Sequence, residues 1–347
     1  MENNDIIENN IKEIITKKFL TDIEVKKLEG TWISEGYMKF PVVDSDTDVY
    51  YMDGDDKKLL LKFRKNVIKD DLIKIGWDSY KNLAKPSRGR GASAGPIDKE
   101  GTYWRKREIT DTNKWSTGYM LKDGKKSKMK VNNQVASNPI GFYEESNNFS
   151  KLPCRLTHFT RTNYDKYNEG LPFIEKIDEL YKELVPESHK KQYERSNEKP
   201  DFKINDTCFS TITINRNFRT ALHRDAGDYK EGFGNLSVIE RGQYSGAYTI
   251  LPQFGVAVDV RTKDFLAMDV HQWHSNTPMY ETEEQKNFNE QMKPDFKDNP
   301  KVGTVGIYEK YTRLTFVCYL REKLIKCNEI DERFLGPSDS KKIDQLK

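Results

Sequence analysis

The apolar residues of this chain change their spacing near residue 208, and the change separates a mixed first part from a strand-rich second part. Early on, Ile7, Ile11, Ile14 and Ile15 recur three and four residues apart, which predicts a short amphipathic helix over 4–20 packed on the main body. Between 37 and 65, apolar and polar residues alternate around the turn signal "MDGDD", which predicts two strands. Helical spacing returns in "LPFIEKIDELYKEL" over 171–184, a helix expected to end near Pro186. From Cys208 the period falls to two. The runs at 208–218, 236–240, 246–251, 255–260, 265–270 and 313–320 are rich in β-branched and aromatic residues and separated by turn residues. Short strands in such succession predict an antiparallel sandwich or barrel of the jelly-roll kind, with helices before it. The polar, aperiodic stretch 281–303 reads as a loop insertion, and the tail from Asn328 as mobile.

Composition sharpens this picture in a few places. A chain of 347 residues has room for one large domain or two ordinary ones, and 33 % charged against 35 % apolar residues suits a soluble protein with long polar loops. No apolar run reaches about eighteen residues, the length that spans a bilayer. "MENNDIIENN" lacks the basic and apolar regions of a signal peptide, so an intracellular location, nuclear or cytoplasmic, is expected. Cys154, Cys208, Cys318 and Cys327 form no CxxC pair and are expected to be reduced thiols. Charge is uneven: from Lys85 to Lys130, 13 Lys and Arg stand against 5 Asp and Glu, a local +8 in a chain of net +3, leaving −5 elsewhere. That window interleaves Tyr103, Trp104, Trp115 and Tyr119 with its cations, a mixture that binds phosphates and stacks on bases, although a solvated face can look the same. Its first segment, "KPSRGRGASAG", is either a loop able to approach a ligand closely or a plain linker.

The chemistry concentrates in "TALHRDAGD". Residues i and i+2 of a strand share a face, so His223 and Asp225 can reach one ion, and imidazole with carboxylate suits a divalent metal. Such a pair also arises often by chance. It gains weight because it follows a strand and because a second histidine pair, His271 and His274 in "DVHQWHSNTP", ends a later strand and offers a third ligand. Two histidines and one carboxylate on one face leave open positions, the arrangement of non-haem Fe(II) oxygenases. Arg313 opens the last strand, where its guanidinium could take a dicarboxylate by two parallel bonds.

Taken together, "TALHRDAGD", "GFGNLSVIERGQYSGAYTILPQFGVAVDV", "FLAMDVHQWHSNTP" and "RLTFVCYLRE" resemble the TET/JBP family of iron(II)/2-oxoglutarate-dependent dioxygenases of nucleic-acid bases, over about Ser87 to Glu322. The resemblance implies an α+β fold with a double-stranded β-helix core, about 205–322, flanked by helices. The domain would cover 85–327 with the insert 281–303, after an extension over 1–84 and before a tail over 328–347. It implies Fe(II), 2-oxoglutarate and O2, with DNA as partner and the 5-methyl group of thymine or 5-methylcytosine as the point of attack. By motif it makes His223, Asp225 and His274 the iron ligands, His271 a neighbour, and Arg313 the anchor of the 2-oxoglutarate distal carboxylate. Asp228, Arg321 and Asn138 fall where related enzymes read the base. The insert between His274 and Arg313 is longer than in many members and departs from the pattern. Asp228 and Arg321 could serve either base. Two alternatives remain: a 2-oxoglutarate oxygenase acting on RNA, a free nucleobase or a protein side chain, and a non-catalytic β-sandwich module that binds nucleic acid. The intact His-x-Asp, His and Arg set favours an enzyme.

Overall fold

A computed structural model describes residues 11–88, 90–97, 109, 118–145, 152–293, 304–305 and 310–328. The first departure from expectation comes at once. β1 (Lys12–Thr16) is a strand and lies parallel to β2 (Thr47–Asp53), Ile14 opposite Val49. A short run of β-branched isoleucines gains more from a ladder than from a helix that must first be nucleated; Ile7 lies outside the described residues. β2 and β3 (Asp56–Arg64) form the expected hairpin, closed by Asp53 opposite Asp56.

Next in chain order come β4 (Gln134–Tyr143), β5 (Thr211–Arg216), β6 (Gly234–Arg241), β7 (Thr249–Leu251), β8 (Val256–Val258), β9 (Phe265–Met268), β10 (Ser275–Asn276) and β11 (Thr312–Tyr319). The large sheet runs β1-β2-β3-β9-β6-β11-β5-β4, and the smaller one β8-β7-β10. Since β3 pairs with β9, Phe63 opposite Leu266, the first part of the chain extends the large sheet itself. Leu236, Val238, Leu266 and Met268 of the large sheet meet Leu251, Phe254, Val256 and Val258 of the smaller one. This is the double-stranded β-helix, and all six runs expected as strands contribute to it.

The other face of the large sheet is covered by α1 (Asp70–Tyr80) and α2 (Leu171–Leu184), the second spanning the predicted residues. Tyr80 and Phe173 both rest on Phe316, with ring centroids 6.0 and 4.9 Å away. Pro186 does more than end α2. It opens α3 (Pro186–Asn197), because proline suits the first helical turn, where its missing N–H has no partner to lose. A further helix, α4 (Glu283–Glu290), stands where a loop was expected, started by a capping box between Thr282 and Gln285; residues 294–303 lie outside the described ones. Cys154 and Cys327 are joined in a disulfide, contrary to the expectation of reduced thiols, whereas Cys208 and Cys318 are free and buried. The bridge spans 173 residues of sequence, so spacing carried no sign of it.

β4 was not anticipated at all, because Asn138, Pro139 and Gly141 read as turn residues. It nevertheless pairs with β5 from Ser137–Asn215 to Gly141–Thr211. Gly141 holds φ at +88°, and a Cβ there would lie 2.3 Å from the Ser210 carbonyl oxygen, so only glycine lets the two backbones come this close. Gly141→Ala is expected to cost about 1–3 kcal/mol, read as a lower urea midpoint at unchanged slope; an unshifted midpoint would contradict the close approach.

Candidate active site

Strand pleating allocates the residues of β11. Leu314, Phe316 and Cys318 join the core beneath the helices. Thr315, Val317, Tyr319 and the following Arg321 face the other way and line a cavity of about 330 Å³ between the sheets. Its size falls at the lower end of small-ligand sites. Thr213 and Asn215 of β5, Leu236 of β6 and Met268 of β9 complete its floor.

After β5 the chain crosses to the smaller sheet, where His223 and His274 donate to each other's backbone carbonyls at 3.0 Å. The Asp225 N–H donates to the Val270 carbonyl at 3.1 Å and the Asn276 N–H to that of Thr220 at 3.1 Å. Side chains i and i+2 therefore emerge beside His274, and the ligand atoms of His223, Asp225 and His274 lie within 4.8 Å of one another. Each imidazole donates its Nδ1–H to a backbone carbonyl, His223 to Ala221 at 2.8 Å and His274 to Gln272 at 2.9 Å. That fixes the Nε2 lone pairs toward the shared space. The two Nε2 atoms stand 3.8 and 3.7 Å from the Asp225 carboxylate, too far for hydrogen bonds and close enough to share a cation.

Another buried group, Asp178, His189 and Cys208, shows the contrast. There the His189 ring and Asp178 are hydrogen-bonded at 3.1 Å, and the Cys208 N–H donates to the same carboxylate at 2.9 Å. Its groups satisfy one another under the helices, while those of the first group face one another without hydrogen bonds between them. His271 is turned away, its Nε2 donating to the Tyr229 carbonyl at 3.1 Å. Of the two histidines left open by spacing, it is His274 that joins His223 and Asp225.

Arg313 is 3 % exposed. Its Nη1 donates to Thr315, which lines the cavity, while Nε and Nη2 find no partner among the described residues. These two form one edge of the guanidinium, the edge that grips a carboxylate by parallel bonds. A buried cation with this edge open fits a carboxylate ligand, just as three facing lone pairs fit a divalent ion.

Of the three expected base-reading residues, two reach the cavity. Asp228 and Arg321 line it as backbone partners. The Asp228 Oδ2 is buried and unpartnered; burial, and next the Asp225 carboxylate, push its carboxyl well above the usual range. Asn138 is not brought there: its amide donates to the Lys85 carbonyl at 2.6 Å. Several contributors escaped the sequence reading, among them Tyr319, Glu144 behind Arg321, and Arg90 with Ser93 from the glycine-rich segment. That segment is no linker. Ala221 donates to the Ser93 carbonyl at 2.9 Å, and the Asn133 amide holds the Ala94 and Pro96 carbonyls at 3.0 and 2.7 Å. Its glycines were the signal available. Of the basic window, the hairpin Gly118–Lys122 with Lys125–Val131 exposes Lys122, Lys125 and Lys126, whereas Tyr103, Trp104 and Trp115 lie outside the described residues.

Two facing sheets, with His-x-Asp on one segment and a histidine on its backbone partner, define the class of double-stranded β-helix oxygenases. Within it, the chain belongs to the Tet_JBP family, the oxygenase domain of the 2OGFeDO superfamily, matched over residues 138–322. Membership implies Fe(II), 2-oxoglutarate and O2, and His223, Asp225 and His274 are a candidate site for the ion. The chain is 32% identical over 186 residues to a bifunctional helicase and thymine dioxygenase, JBP2, of Leishmania major, covering 54% of this chain and 14% of that one. It is 33% identical over 185 residues to thymine dioxygenase JBP1-B of Trypanosoma cruzi, covering 53% and 19%. The match thus spans less than a fifth of either relative. A solved structure of NgTET1 in complex with 5mC DNA aligns over 97% of this chain and 91% of that chain, with TM-score 0.49 and 12% identity.

Burial, helped by the neighbouring His223 ring, lowers His274 to a pKa of about 4. Because the folded value lies below the ordinary one, stability is complete above about pH 6.5 and is lost as pH falls toward 4. Urea midpoints of metal-free protein should fall across this window, and His274→Asn should flatten that part of the profile. An unchanged slope in the variant would show that His274 is not held neutral.

Proposed function

We propose that this protein is an Fe(II)/2-oxoglutarate-dependent dioxygenase that hydroxylates the 5-methyl group of a pyrimidine in DNA, with thymine the first base to test. One observation carries the reading: the ligand atoms of His223, Asp225 and His274 converge on the cavity, and behind Thr315 of its lining Arg313 keeps a carboxylate-binding edge open. The choice of base is supported by relatives named thymine dioxygenases.

In this reading His223, Asp225 and His274 hold the metal, the Nδ1 tethers of the two imidazoles keeping them aimed. Bound there, Fe(II) with 2-oxoglutarate and O2 supplies the oxidising power to hydroxylate an unactivated C–H bond. Arg313 takes the distal carboxylate of 2-oxoglutarate through Nε and Nη2 and so fixes the cosubstrate's direction in the cavity. Leu236, Met268 and Val317 give the floor an apolar lining that limits water. A base in a duplex cannot reach this cavity, so the nucleotide is flipped and its edge is read by Asp228 and Arg321. DNA is the partner: Lys122, Lys125 and Lys126 stand exposed on the basic hairpin, which leads into Asn133 and the glycine-rich segment it holds, and would meet backbone phosphates.

Incubation with Fe(II), 2-oxoglutarate and duplexes containing thymine or 5-methylcytosine, followed by nucleoside mass spectrometry, tests activity and base together. His223→Ala and Asp225→Ala should abolish succinate release without changing the circular dichroism spectrum. Arg313→Gln should raise the KM for 2-oxoglutarate by about tenfold or more. Succinate release surviving in either ligand variant would remove the metal assignment, and an unaltered KM would place the cosubstrate anchor elsewhere.

A further inference from the structure

Arg313 and Arg321 sit toward opposite ends of one face of β11 and its continuation, Arg321 in the cavity lining and Arg313 behind Thr315, and their guanidinium edges differ. On Arg313 the edge formed by Nε and Nη2 is open. On Arg321 the same edge is filled, Nε and Nη2 both donating to the Glu144 carboxylate. Among the described residues its remaining Nη1 reaches the Tyr319 hydroxyl alone, at 3.5 Å. We infer that Glu144 is a specificity-determining positioning residue: it occupies on Arg321 the carboxylate-binding edge that Arg313 leaves free, so the cavity takes one dicarboxylate and reserves its other end for an uncharged base. The second half of this inference rests on the reading of that end as a base pocket.

The surroundings of Glu144 hold the pair together from several sides. Burial would lift its carboxyl, but Arg321 outweighs burial and keeps it below the usual range. Arg321 in turn stays charged, since Tyr319 and Glu144 outweigh the burial that opposes its charge. The Tyr143 ring carries the guanidinium groups of both Arg155 and Arg321, at 5.1 and 5.4 Å from its centroid. The Arg155 Nη1 donates to the Glu144 carbonyl at 3.3 Å, and Tyr143 pairs with Arg155 across the strands. Cys154, beside Arg155, is bridged to Cys327, which closes the turn following Arg321. Thus a covalent link joins the two segments that bring Glu144 and Arg321 together. The pair lies at the cavity wall with Arg321 inside the lining and Glu144 behind it. Without Glu144, the inner guanidinium would be a second partly buried receptor for carboxylate, in an enzyme that needs only one such ligand.

The test is calorimetric titration of N-oxalylglycine, a dicarboxylate mimic of 2-oxoglutarate, into the 347-residue protein loaded with Mn(II). Wild type and Glu144→Asp should bind one equivalent. Glu144→Gln should bind a second, about tenfold or more weaker than the first, and Glu144→Gln/Arg321→Gln should lose it again. In the DNA assay, Glu144→Gln should raise the KM for DNA about tenfold with kcat nearly unchanged, and excess 2-oxoglutarate should inhibit it competitively against DNA. A single equivalent in Glu144→Gln, or a second one that survives Arg321→Gln, overturns the inference. Glu144→Ala replaces the glutamine variant if that does not fold, with the same expectations. The titration uses no DNA, so it decides this point even if wild type proves to oxidise no pyrimidine, a result that would instead overturn the proposed substrate.

Discussion

The site depends on one reciprocal backbone contact, the pair of hydrogen bonds by which His223 and His274 hold each other at 3.0 Å. It joins two segments about fifty residues apart in sequence and sets their register. A slip of one residue would turn His223 and Asp225 to the opposite face and disperse the ligand set. With the register held, the side chains need only the tethers at Nδ1 to converge. The histidines are thereby aimed by backbone atoms, and the cavity can vary around them without disturbing their geometry.

The rest of the architecture secures that register. β9 leads directly into the segment carrying His274, and it is held on one side by β6 and on the other by β3. The hairpin formed before residue 65 therefore braces a strand that ends near His274. α1 and α2 cover the opposite face, where Phe265, Leu314 and Phe316 need an apolar partner. Each such side chain contributes about 1.5–3 kcal/mol on burial. Those gains offset what the inner face forgoes by carrying Arg313, Thr315 and Arg321 where apolar residues would otherwise pack. Function and stability divide the same strands by alternate residues.

Electrostatics then differentiates the two ends of the cavity. Behind Thr315 at one, the edge of Arg313 is left without a carboxylate, a buried charge whose natural complement is a ligand. At the other, Arg321 already has its carboxylate in Glu144, and what reaches the cavity is a single donor edge beside the buried oxygen of Asp228. The same residue type on the same face thus meets different chemistry according to what stands behind it.

Local pattern determined a good deal by itself. The six core strands and α2 were legible because a period of two or of 3.6 follows from which face is buried, and burial is written in side-chain type. His223 and Asp225 were legible as a pair because i and i+2 share a face on any strand. The N-terminal isoleucines misled, since three- and four-residue spacing in so short a run does not distinguish helix from strand, and pairing with β2 decided it. β4 was hidden by Pro139 and Gly141, which a strand near a sheet edge tolerates. Only tertiary structure turned Asn138 away from the cavity, joined Cys154 to Cys327 and set Glu144 against Arg321. These outcomes share a physical cause. Each depends on which distant segments become neighbours and in what register, and the spacing of residues along one segment carries no information about its partner.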